Sequence, residues 1–134
     1  MANALYDKGR EAFLTGQINW TADTIKVVLT SAGYTVNLAT HQYLSDIPSG
    51  ARVATSPALT GKAATNGVAS AADVTLTAVS GAQVTGMVIY KDTGVETSSR
   101  LIAWIDTATG LPFTPSGSDV TIRWDTGPNK IFKL

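Results

Sequence analysis

Short runs in which β-branched residues alternate with polar ones constrain the fold more than any other feature of this sequence. Residues 119–125 give the clearest example, because Val120, Ile122 and Trp124 fall on one face of an extended chain. Val, Ile and Thr also pack well on a pleated, half-buried surface. We therefore predict strands at residues 25–30, 74–78, 87–91, 101–106, 119–125 and 131–134.

Turn sequences rich in Gly, Asn, Asp and Pro separate these runs at intervals of roughly ten residues. They lie at residues 48–50, 65–67, 92–94, 109–110 and 112–117. This spacing is typical of sandwiches and barrels, and no composition break divides the 134 residues. The sequence thus predicts a mainly β, single-domain antiparallel β-sandwich, with residues 21–134 as its body. The predicted core residues are Ile25, Val27, Leu29, Leu76, Ile89, Leu101, Ile105, Val120, Ile122 and Trp124.

The N-terminal residues 1–20 are predicted to form a helix or an arm in front of this body. Apolar residues recur at helical spacing over residues 3–15. Asn3 is suited to cap the start of that helix and Gly16 to end it. A second short helix is predicted at residues 40–46.

Charge and composition argue against several classes of function. Ten basic and ten acidic residues cancel, whereas a nucleic-acid or membrane-surface protein needs a positive field. The chain has no cysteine and no apolar run long enough to span a bilayer, and its first residues do not resemble a signal peptide. We expect a protein made in the cytoplasm, with no nucleic-acid or membrane partner.

The chain offers few residues for chemistry. His41 is the only histidine, so a zinc site with three or four nitrogen or sulfur ligands is not expected. The triplet Asp-Thr-Gly occurs at Asp92 and again at Asp125, as in aspartic proteases, but Val95 and Pro128 follow where that family has Ser or Ala. Asp-x-Gly after a strand is also an ordinary turn sequence. We predict no catalytic residue, no metal site and no cofactor.

Three long segments resemble a family of small structural proteins of tailed bacteriophages. They are NALYDKGREAFLTGQINW, TIKVVLTSAGYTVNLATHQYLSDIPSGARV and SSRLIAWIDTATGLPFTPSGSDVTIRWD, and the ending KIFKL adds to the match. The resemblance covers nearly the whole chain and includes capsid decoration, or cement, proteins with a jelly-roll-like sandwich. It implies a virion location, the major capsid protein or another virion protein as partner, and a dimer or trimer of the chain itself.

A cement protein must reach across the seams between capsid subunits. We expect two parts of this chain to do so: the N-terminal segment and the proline-stiffened loop 111–118. The predicted interface residues are Leu5, Tyr6, Phe13, Leu14, Leu111, Pro112, Phe113 and Pro115. A tail, neck or baseplate component is the alternative. A glycan-binding module is a third hypothesis, which requires exposed rings at Trp20, Trp104 or Trp124.

Overall fold

The computed structural model describes residues 3–108, 110–124 and 131–133, and it is mainly β. Within these ranges the strands are β1 Ala4–Leu5, β2 Ile25–Ser31, β3 Arg52–Thr55, β4 Val68–Ala69, β5 Val74–Leu76, β6 Val84–Lys91, β7 Leu101–Ile105, β8 Val120–Ile122 and β9 Phe132–Lys133. The α-helix α1 spans Asp7–Leu14, and 3₁₀ turns lie at Leu44–Asp46, Ser49–Ala51 and Thr65–Gly67.

Five strands form a central antiparallel sheet in the order β1-β7-β6-β2-β3. Two smaller antiparallel pairs accompany it, β4 with β9 and β5 with β8. The prediction of a mainly β fold with antiparallel sheets and one short helix is therefore confirmed. Its sandwich arrangement stays a prediction.

Both faces of the central sheet are buried, each by a different kind of structure. On the face that carries Val27, Leu29 and Ile89, the core includes residues of β4, β5 and β8; we call it the strand-covered face. On the face that carries Val28 and Val88, the core is completed by residues 33–51, the cover segment. We call this the loop-covered face. The cover segment buries Tyr34, Ile47 and Ala51 there.

The predicted core residues lie in the core of the structure. Seven of them are at most 7% exposed, and they are Ile25, Val27, Leu29, Leu76, Ile89, Leu101 and Ile122. Ile105, Val120 and Trp124 are partly buried and pack against the core cluster that includes Val27 and Leu29. Alternation alone did not reveal that Val28 and Thr30 are also completely buried, because the cover segment that buries them has no periodic pattern.

The N-terminal helix begins later than predicted. Residues Ala4–Leu5 pair with β7 as a strand, and the helix starts only at Asp7. The prediction that Asn3 caps the helix was wrong: its side-chain oxygen accepts the backbone N–H groups of Asp106 and Thr107, both at 2.9 Å. Gly16, at φ +75°, follows the helix end as predicted.

A close approach fixes α1 on β7. A Cβ atom on Gly9 would lie only 2.7 Å from the carbonyl oxygen of Leu101, so no larger residue fits there without a shift of the backbone. The helix therefore lies directly against the sheet.

Other predicted boundaries also differ from the structure, and the largest differences are at the following elements. The helix predicted at 40–46 is reduced to the 3₁₀ turn Leu44–Asp46. The Asp46 carboxylate accepts the backbone N–H groups of Gln42 and Tyr43 at 2.7 and 3.0 Å, which fixes these two residues in front of the turn. The strand predicted at 119–125 is the shorter β8. The closing strand, predicted at 131–134, is β9, and residues 125 and 134 of these two predictions lie outside the described residues.

Candidate interaction surface

The structure places the N-terminal interface residues in two environments. Leu5 is 7% exposed and Tyr6 is completely buried, both within the core of their own chain. Phe13 is partly buried, whereas Leu14 is 88% exposed. Of the four predicted residues, Leu14 and part of Phe13 are accessible to a partner in this conformation.

Phe13 belongs to an aromatic groove at the end of α1. The Phe13 and Phe132 rings are 6.0 Å apart, and Trp20 meets Phe132 edge-on at 5.3 Å. The groove encloses about 320 Å³. Phe13 and Gly16, on either side of Leu14 in the sequence, both line the groove. We call Leu14 and this groove the helix-end patch.

The loop 111–118 is attached to the body instead of projecting from it. Phe113 and Val84 exchange two backbone hydrogen bonds of 2.8 and 3.1 Å. The Gly117 N–H donates to the Val79 carbonyl at 2.8 Å. Leu111 and Phe113 pack against the core, Pro115 is partly buried, and Pro112 is exposed after a cis peptide bond. The loop thus presents Pro112 on a fixed backbone.

A larger cleft of about 750 Å³ lies beside β8. Met87, Ile105 and Ile122 are apolar residues of its lining, and Arg123 and Trp124 also line it. The Trp124 indole N–H donates to the carbonyl of Ala72 at 3.1 Å. Trp124 and Ile131 flank residues 125–130, which lie outside the described residues.

The tryptophans bear on the glycan-binding hypothesis. Trp20 and Trp104 are 5% and 6% exposed, so neither ring presents a face on which a sugar could stack. Trp124 is partly buried with its N–H already bonded. The exposed aromatic platform that this hypothesis requires is not formed by Trp20 or Trp104.

The first Asp-Thr-Gly triplet is a turn, as its sequence indicates. One Asp92 oxygen accepts the N–H of Gly94 at 2.9 Å, and Gly94 has φ +84°. The other oxygen is 2.7 Å from the ammonium group of Lys26, and this hydrogen bond holds the pKa of Asp92 below its usual value. The second triplet, at Asp125, lies outside the described residues.

His41 contacts an aromatic side chain and not a catalytic pair. Its ring stacks on Tyr34 with centroids 5.5 Å apart, and its Nδ1 lies 2.8 Å from the Tyr34 hydroxyl. Sequence reasoning missed this contact between Tyr34 and His41, because no periodic pattern around Tyr34 indicates that its side chain packs on the central sheet. Among the described residues, no group of three or more His, Asp or Glu side chains is placed to hold a metal ion.

The chain matches no protein-family model, and no curated protein shows significant similarity to it. None of the described helices has the length and apolarity needed to cross a bilayer.

Proposed function

We propose that this chain is a non-enzymatic structural protein of a tailed-phage virion, and specifically a capsid decoration protein. In this proposal its sheets form a jelly-roll-like sandwich that binds across neighbouring subunits of the major capsid protein. The sequence resemblance supports the virion setting. The central sheet is buried on both faces, so the body is already ordered before it binds. Binding to a shell then costs little conformational entropy, which suits a protein that stiffens the shell.

The observation that carries the attachment role is the 88% exposure of Leu14 on a helix that is otherwise fixed to the body. A single exposed leucine is unremarkable by itself. Here Phe13, the residue before Leu14 in the sequence, lines the aromatic groove. An exposed apolar side chain on a fixed helix can be buried on a partner at a small cost in conformational entropy.

A point variant tests the helix-end patch better than a deletion of the N-terminal segment does. Deleting the N-terminal residues would also remove Leu5, Tyr6 and Ala12 from the core, so loss of binding would not be separable from loss of folding. Leu14→Gln keeps a helix-compatible side chain of similar length and removes the apolar contact. We expect its unfolding free energy to stay within about 0.5 kcal/mol of the wild type.

The test is co-sedimentation with capsids assembled from the major capsid protein encoded with this chain. The wild type should bind, and Leu14→Gln should bind at least tenfold more weakly. Val95→Thr is the matched control, since Val95 is the other large exposed hydrophobic side chain among the described residues, at 56%. It should bind as the wild type does.

Three outcomes would contradict parts of this proposal. Equal binding of Leu14→Gln would remove the helix-end patch from the attachment mechanism. Absence of capsid binding by the folded wild type would exclude the cement role. Assembly of the purified chain into rings or tubes would instead favour the tail component, because a cement protein should remain a small oligomer until capsid is added.

A further inference from the structure

The two-stranded sheet of β5 and β8 has one edge without a partner. β8 pairs with β5 on one side. On its other side, no strand or backbone group within residues 3–108, 110–124 and 131–133 bonds to it. Residues 119–123 all line a groove of about 310 Å³, in which Met87 and Phe113 are among the apolar residues. An unpaired strand edge beside an apolar groove is the arrangement to which a further strand adds.

The side chains of residues 119–123 alternate between two faces. Val120 and Ile122 pack toward the core, where Ile122 is 7% exposed. Asp119, Thr121 and Arg123 are exposed on the outer face. A strand with this alternation accepts a second strand in registers that keep apolar residues opposite apolar ones and polar residues opposite polar ones.

The outer face carries two opposite charges that have no ion-pair partner among the described residues. One Asp119 carboxylate oxygen accepts the Ala78 N–H at 3.0 Å, and the other oxygen bonds to no described residue. The Arg123 guanidinium makes no hydrogen bond or ion pair within the described part of the chain. Thr121 lies midway between the two charges in the sequence. The strand therefore carries the same charge pattern, with reversed sign, when it is followed in the opposite direction.

A second copy of the chain supplies the matching edge. When two β8 strands lie antiparallel with Thr121 opposite Thr121, Asp119 of each copy lies opposite Arg123 of the other. On the inner face, Val120 of each copy lies opposite Ile122 of the other. Opposite charges and apolar residues placed directly across an antiparallel pair each stabilise it. Two-fold symmetry makes each of these pairs occur twice.

The neighbouring registers match less well. A shift of one residue would place the polar face of one strand beside the apolar face of the other. A shift of two residues, with Val120 opposite Val120, would place Asp119 opposite Thr121 and Arg123 opposite Gly117. The opposite shift would place Arg123 opposite Thr121. Only the register centred on Thr121 brings both charges of each strand opposite a charge of the other sign.

The outer edge of β3 lacks this self-complementarity. Its only charged side chain is Arg52, which already pairs with Glu96 at 2.8 Å and donates to the Ile47 carbonyl at 2.7 Å. A second β3 strand would bring no carboxylate opposite Arg52. The distribution of charge therefore favours β8 as the strand that pairs with a second copy.

We propose that two copies of this chain associate through β8, in an antiparallel pair centred on Thr121 that joins the two small sheets into one four-stranded sheet. A two-stranded sheet is marginally stable by itself, and added strands with an apolar face stabilise it. The second strand also lies along the groove that residues 119–123 line. This pairing goes beyond attachment to a capsid and does not depend on it.

Cysteine cross-linking tests the register on the intact chain, which has no cysteine of its own. Thr121→Cys places a thiol of each copy at the two-fold axis. Directly opposite Cβ atoms there are about 4.5–5.5 Å apart, a distance that a disulfide closes with a small adjustment of the backbone. Mild oxidation should therefore yield a disulfide-linked dimer.

Thr75→Cys is the matched control for this cross-link. Thr75 is also exposed, and its hydroxyl lies 3.0 Å from that of Thr121 on the neighbouring strand. In the proposed dimer the two copies of Thr75 are three strand spacings apart, roughly 14 Å, which is too far for a disulfide. Equal yields of linked dimer from the two variants would overturn the pairing.

Charge reversal tests the ion pairs. Arg123→Glu places like charges opposite each other at both ends of the strand pair. Sedimentation equilibrium should therefore show a dimer dissociation constant at least tenfold higher than that of the wild type. Arg10→Glu makes the same change of charge on α1, where Arg10 contacts only the exposed Asp7 at 3.3 Å. It should dimerise as the wild type does, and equal dissociation constants for all three proteins would refute the ion pairs.

A mixture of two variants gives the sharpest result. Asp119→Lys by itself also places like charges at both ends, so it should dimerise as weakly as Arg123→Glu. Mixed in equal amounts, the two variants should form a heterodimer, because every charged side chain then faces one of opposite sign. A mixture that dimerises no more tightly than either variant alone overturns the proposal. A wild type that is a monomer at every concentration, or a trimer, overturns it as well.

Discussion

The two faces of the central sheet are buried by different means, and their chemistry differs accordingly. On the strand-covered face, short strands bring in aliphatic side chains such as Val74, Leu76 and Ile122. On the loop-covered face, the cover segment has no β-strand and contributes Tyr34. That face buries three of the chain's four tyrosines, and it also buries Thr30, whose hydroxyl has no partner among the described residues.

This difference separates two sources of stability. Aliphatic packing is non-directional and depends on buried area and fit. Buried hydroxyl groups must be hydrogen-bonded, and the direction of each bond depends on the protonation of its neighbours. We therefore expect the strand-covered face to respond to changes in side-chain volume and the loop-covered face to respond to pH.

The largest expected effect comes from Ile89→Ala on the strand-covered face. Ile89 is completely buried between β2 and β7, so its truncation leaves a cavity and should lower the unfolding free energy by about 2 to 5 kcal/mol. Urea denaturation measures this loss, and Leu14→Ala on the exposed helix end is the control. A loss below about 1 kcal/mol would show that this face is loosely packed.

An intermediate effect is expected at alkaline pH, on the loop-covered face. Burial raises the pKa of Tyr34 and that of Tyr90 to about 12, while a tyrosine in the unfolded chain titrates near 10. The folded state then binds protons that the unfolded state has released, so stability is full below about pH 10 and is lost as the pH rises toward 12. At pH 11 each of these tyrosines should account for about 1 kcal/mol.

Thermal unfolding between pH 9 and pH 11 measures this loss. Tyr90→Phe has one tyrosine fewer to ionise, so its stability should decline less steeply than that of the wild type. Ile89→Ala, on the opposite face, should decline in parallel with the wild type. If thermal stability falls equally steeply with pH in the wild type and in Tyr90→Phe, the alkaline sensitivity does not come from the tyrosines of the loop-covered face.

The smallest effect is expected for Asp92→Asn, at the end of the sheet and away from either packed face. The change removes the ion pair with Lys26, and the new amide oxygen can still accept the Gly94 N–H. Because the pair is partly solvated, the loss at pH 7 should be below about 1 kcal/mol.

The pH dependence of this variant has a definite sign. The lowered pKa of Asp92 means that its contribution is present above about pH 4 and is lost as the pH falls, so the difference between wild type and variant should shrink as the pH is lowered below that point. Capsid binding should be unchanged. Pepstatin-sensitive proteolysis by the wild type would contradict the prediction that the triplet is a turn and the chain is not an enzyme.

The sequence by itself determined the features that depend on local periodicity and turn chemistry. Alternation located β2 and β5 and the aliphatic core that includes Val27 and Leu29, because a period of two directs every second side chain to the same face. Gly16 and Gly94 marked a helix end and a turn, because both positions require a positive φ that glycine adopts at little cost.

Only the tertiary structure decided what covers each face and which interface residues remain accessible. The cover segment lacks periodicity, so its position depends on long-range contacts such as the one between Tyr6 and Tyr34. Leu5 and Leu14 are both predicted from the sequence as interface residues. Pairing of β1 with β7 buries Leu5, whereas Leu14, at the free end of α1, stays exposed. The physical reason is that burial depends on distant partners, whereas a local pattern specifies only which side a residue faces.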